Sequence, residues 1–153
     1  MIKFLKYNNG FTLIEILVVI FIISIITGMF FGGLKMLQPS MRLSATVSDL
    51  ATDLHYIQQK AVSEQFNYGI SFFIDTNRYQ ILKYITSTTT QEISTKSLAQ
   101  DIDFQAIQDF TDNIVVFNPY GSVKESGSVS LINTKGEIKI INIRPSGFIK
   151  IEE

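Results

Sequence analysis

The chain has 153 residues with 46% hydrophobic and 18% charged residues, a formal charge of −1, one histidine and no cysteine. That length fits one domain, the weak charge gives no pull toward polyanions, and without cysteine a small exported fold has no disulfide staple. The residue inventory also disfavours an anchored enzyme: it has no second histidine, no Gly-x-Ser-x-Gly and no phosphate loop.

Met1 to Gly10 (MIKFLKYNNG) is short and polar, with Lys3 and Lys6 and no acid. From Phe11 to Leu34 the chain is predominantly apolar and carries one charge, Glu15. Those 24 residues make a helix of about 36 Å, long enough for a bilayer core of about 30 Å. A charged carboxylate at that depth is costly and calls for a partner. A cut after Gly10 supplies one, because the new amino group of Phe11 lies four residues from Glu15, one helical turn away. In a bundle of such helices each carboxylate meets a neighbour's ammonium.

The run Gly10-Phe11-Thr12-Leu13-Ile14-Glu15 resembles the processing and assembly motif of type IV prepilins and type II secretion pseudopilins. The resemblance implies that a prepilin peptidase cuts after Gly10 and N-methylates Phe11. Thr12, Leu13 and Ile14 complete the cleavage motif, and Glu15 docks the subunit into a growing filament. An ordinary secretory signal has a shorter apolar run and a small-residue cleavage site. A plain signal anchor remains as the alternative, with Lys3 and Lys6 holding the N-terminus in the cytoplasm, but it leaves Glu15 unexplained.

The expected organisation is a leader (1–10), a transmembrane and filament-core helix (11–34), an amphipathic helix (35–66) and a β-rich head (67–153). The leader removes two lysines and takes the charge to −3 before the new termini are counted. Gly28, Gly32 and Gly33 point either to bending or local melting, or to close helix packing through small residues. Ser24 and Thr27 are expected to bond back to their own helix. Pro39 predicts a kink or short break.

From Met41 to Phe66 the spacing of Leu43, Val47, Leu50, Leu54, Ile57 and Ala61 sets one apolar stripe. Arg42, Ser44, Ser48, Asp49, Asp53, Gln58, Gln59 and Lys60 fall on the polar faces. His55 flanks the stripe and, without a second ligand, reads as a surface histidine rather than a metal site.

Beyond Asn67 the period becomes two. Tyr68–Ile74 and Arg78–Thr86 form a hairpin about Asp75-Thr76-Asn77. Thr86–Gln91 is a loop or exposed edge, and Glu92–Leu98 and Ile102–Ile107 are short strands. Asn113–Phe117 is a strand ending at the turn Asn118-Pro119-Tyr120-Gly121. Ser128–Asn133 and Glu137–Ile143 form a hairpin about Thr134-Lys135-Gly136; Arg144–Gly147 turns the chain into a closing strand, Phe148–Ile151. Asp101 and Asp103 read as exposed charges, not a calcium site. The fold class is α+β: a long N-terminal helix packed on an antiparallel sheet.

The order of elements and the Phe117-x-Pro119-x-Gly121 run resemble the minor pseudopilins of the secretion protein H and fimbrial protein T types. The resemblance implies a structural subunit with no catalytic residue, metal or cofactor. Its implied partners are other pilins, the prepilin peptidase, membrane lipid and an inner-membrane assembly platform driven by a cytoplasmic ATPase. It places the anchored subunit in the cytoplasmic membrane with its head outside, and later in a pseudopilus or pilus. The alternative is a competence-type pilin whose head binds DNA or secreted cargo. Only Arg144 and Lys150 flank Gly147, which is a thin basic surface for DNA.

Overall fold

A computed structural model describes residues 10–86 and 89–152, with backbone only for residues 29–36. Residues 1–9 of the expected leader, and Ser87 and Thr88 of the polar loop, lie outside the described residues. Two compact units divide the chain, Met1–Leu37 and Gln38–Glu153.

Helix α1 (Leu13–Glu64) contributes to both units. The backbone stays helical through Gly28, Gly32, Gly33 and Pro39, so neither the local melting nor the break occurs. Proline removes one donor, and three glycines cost about 1 kcal/mol each; the buried turns that begin at Leu43 sustain the helix beyond them. Ser24 and Thr27 do bond back, donating to the carbonyls of Ile20 at 2.8 Å and Ile23 at 2.7 Å.

The six stripe residues from Leu43 to Ala61 are each at most 1% exposed. Asp53, expected on a polar face, is buried. It sits at the border of the stripe, where Tyr79 and Lys96 from the sheet cover it. The helix ends at Glu64, with Gln65 left-handed at φ 59° and its amide donating back to the Val62 carbonyl at 2.7 Å.

Eight strands follow: β1 (Asn67–Phe73), β2 (Arg78–Tyr84), β3 (Thr90–Ser97), β4 (Ile102–Gln108), β5 (Ile114–Phe117), β6 (Gly127–Asn133), β7 (Ile138–Ile143) and β8 (Ile149–Glu152). They form two four-stranded antiparallel sheets, ordered β3-β2-β1-β5 and β4-β6-β7-β8, where one sheet was expected. A single eight-stranded twisted sheet would carry its outer strands away from one short helix. Two sheets bring both apolar faces to the same stripe. Ile70, Phe72, Ile81, Val115 and Phe117 come from the first sheet, and Phe104, Val129, Leu131 and Ile141 from the second, all in one core with Leu50 and Leu54. Phe72 and Phe104 meet edge to face at 5.6 Å across the two sheets.

The predicted turns close as expected. Gly121, Gly136 and Gly147 donate to the carbonyls of Asn118, Asn133 and Arg144 at 2.9, 3.0 and 2.8 Å, each with φ near +80°.

Candidate processing and assembly site

Gly10 and Phe11 precede the helix and are exposed, Phe11 at 79%. A Cβ placed on Gly10 would meet no atom within 4 Å, so packing in the described chain does not demand glycine there. Thr12 is the helix N-cap. Its hydroxyl accepts from the Glu15 N–H at 3.3 Å, and its carbonyl accepts from Glu15 and Ile16 at 3.1 and 3.2 Å. Thr12 therefore caps the helix from one side: the T-x-x-E spacing is that of a capping box, but among the described contacts the Glu15 carboxylate does not return the bond.

Because the helix begins at Leu13, Phe11 lies ahead of its first turn. The one-turn spacing expected between the Phe11 amino group and Glu15 is therefore not set by the helix. The negative side chain of Glu15 sits in the first turn, where the helix dipole favours it. Among the described residues its carboxylate has no hydrogen-bond or ion partner, and the side chain is exposed.

Apolar side chains are exposed on every side of the helix behind it: Leu13 at 82%, Ile14 at 64%, Ile20 and Ile26 at about the same level. Such a surface needs lipid or other helices to cover it. Among the described residues no helix is long and apolar enough to cross a membrane. The expected span also runs through residues 29–36, whose side chains lie outside that description.

The remaining singled-out residues lie on the head. His55 is exposed, and the described residues contain no group of three or more metal-ligating side chains. Asp101 pairs with Arg42, and Asp103 accepts from the Asn77 amide, so the two carboxylates serve different contacts. Arg144 lies over the Phe148 ring at 5.6 Å, and Lys150 pairs with Glu152 at 2.8 Å.

Two carboxylates fasten the helix to the first sheet. Asp53 accepts from the Tyr79 hydroxyl at 2.6 Å and from Lys96 at 2.7 and 2.8 Å. Burial, reinforced by Asp53, raises the Tyr79 pKa. Glu64 accepts from Lys60 and Lys83 at 2.7 Å each and from the Tyr68 hydroxyl. Those three donors, Lys60 first, hold its pKa down at about 2.

The family model of the prokaryotic N-terminal methylation motif matches residues 5–31. No curated protein matches the chain. Among solved structures, the minor pseudopilin EpsH from the type 2 secretion system of Vibrio cholerae is similar with TM-score 0.62 at 12% identity, over 72% of this chain and 96% of that one. The type IV minor pilin FimU of Pseudomonas aeruginosa is similar with TM-score 0.58 at 16% identity, over 72% of this chain and 88% of that one. The chain thus carries the prokaryotic N-terminal methylation motif over residues 5–31, and behind it a fold similar to those of a minor pseudopilin and a minor pilin.

Proposed function

We propose that the chain is a minor pilin or pseudopilin, a structural subunit that prepilin peptidase cuts after Gly10 and N-methylates on Phe11. The observation that carries this reading is an exposed Gly10-Phe11 bond, where packing among the described residues makes no demand for glycine, placed ahead of a capped helix whose apolar first half has one acid, Glu15, without a partner among the described residues. An external enzyme that needs a small residue at the cut accounts for the glycine.

Before assembly the subunit sits in the cytoplasmic membrane through residues 11–34, with Lys3 and Lys6 on the cytoplasmic side and the head outside. An inner-membrane platform then lifts it into a pseudopilus or pilus. There the apolar helices cover one another, and Glu15 meets the ammonium of a neighbouring subunit in a setting that water cannot reach. The head contributes surfaces rather than chemistry.

N-terminal sequencing and intact mass of the native protein test the reading. The expected result is a chain that begins at a methylated Phe11. Assembled material that begins at Met1 overturns it.

A further inference from the structure

Strand β3 is unlike the other strands of the head. Seven of its eight residues are exposed and Ser94 is half-buried, so it adds no side chain to the core, whereas every other strand adds at least one. It is an edge strand, bonded on one side to β2, and that ladder is broken by a bulge between Ile81 and Leu82. Among the described residues its one ion pair to the rest of the head is Lys96 to Asp53. Both ends are pinned: Leu98 packs on the core and donates to the Asn77 carbonyl at 2.9 Å, and Ile85 donates to Thr89 at 3.0 Å in the turn from β2.

We infer that β3 is a releasable strap, fastened by Lys96 on Asp53, which opens as a unit between those two pins. Opening it gives up ladder hydrogen bonds to β2, each of small net worth, and almost no apolar burial. Among the described residues the closing contact beyond that ladder is ionic. Asp53 is 8% exposed when the strap is shut, and Lys96 with the Tyr79 hydroxyl replaces the water it loses. When the strap lifts, that carboxylate is rehydrated, so the fastening carries its own route to release. In the open head the outer edge of β2 has lost its neighbour in the sheet.

Amide hydrogen exchange read by mass spectrometry on the full chain in detergent tests this. In the unaltered protein the slow amides of β3 are expected to exchange about a hundredfold faster than those of the central strand β1, as a separate opening unit. Lys96→Met should speed β3 and the β2 amides that face it about tenfold more and leave β6 and β7 unchanged, while Lys96→Arg should keep the original rates. Equal protection of β3 and β1 overturns the inference, and so does a Lys96→Met effect spread evenly over both sheets. The comparison within the unaltered protein stands even if a variant fails to fold.

Discussion

Gln58 and Gly147 lock the helix to the last turn of the chain: the Gln58 amide donates to the Gly147 carbonyl at 3.0 Å and also to the Gly121 carbonyl at 2.8 Å. One side chain thus ties together two turns that belong to different sheets, beside the Val123 N–H to Pro145 carbonyl bond at 3.2 Å. Gly147 has φ +80°, and a Cβ there would lie 2.0 Å from the Gly121 oxygen and 2.4 Å from the Gln58 amide nitrogen. Gly147→Ala is therefore expected to cost roughly 3 kcal/mol or more, from backbone strain and the displaced turn. Gln58→Ala should cost about 2 kcal/mol for two lost bonds. Thermal unfolding of the two variants checks the order, with a drop of roughly 10–20 °C for the glycine variant.

Much of this head is legible from local pattern. The stripe from Leu43 to Ala61 and the turns at Gly121, Gly136 and Gly147 follow from spacing and turn chemistry alone, because each is decided by neighbours in the chain. Asp53 is different. Its partners lie 26 and 43 residues away, and no helical wheel contains them. The division into two sheets is likewise a matter of partner choice, since β4 pairs with β6 and leaves β5 to join β1. Alternation names the faces of a strand and is silent on its neighbour. At the N-terminus the Thr12 cap is likewise local, since its hydroxyl takes the N–H three residues on, a spacing that the sequence displays.

The Glu64 cluster sets a direction for acid sensitivity. Its carboxyl pKa falls from 4.5 to about 2 through Lys60, Lys83 and Tyr68, so the folded state releases this proton more readily than the unfolded chain. The stabilisation is present above pH 4.5 and is lost as the pH falls from there toward 2. Glu125, held down by the Thr111 N–H and hydroxyl, and Glu137, held down by Ser40 and Asn133, add in the same sense. Melting temperatures measured between pH 6 and pH 2 should fall less steeply for Glu64→Gln than for the unaltered chain, and parallel curves would remove Glu64 from the account.

Under the proposed function, Gly10 bears on processing and not on folding. A side chain at this position meets open space in the described chain, so Gly10→Leu should leave the head's unfolding temperature unchanged. In cells that carry the peptidase it should leave the full-length precursor in the membrane. Immunoblots that separate precursor from mature chain read the result, and mature protein from Gly10→Leu would place the cut elsewhere.

Thr12 and Glu15 separate the helix start from the assembly role. Thr12→Val removes the hydroxyl that caps the Glu15 N–H and should cost about 1 kcal/mol of local helix stability, seen as faster amide exchange over the first turn. Glu15→Leu leaves the cleavage residues and the Thr12 cap in place, because the cap uses the backbone N–H of residue 15 and not its carboxylate. It should therefore be processed like the unaltered chain. Under the proposed function it lacks the charge that would meet a neighbour's new amino terminus, so its incorporation into filaments should fall while the mature form accumulates in the membrane. Sheared filaments compared with membranes in a quantitative blot measure the partition. Equal incorporation of Glu15→Leu and the unaltered subunit would show that apolar packing alone directs assembly.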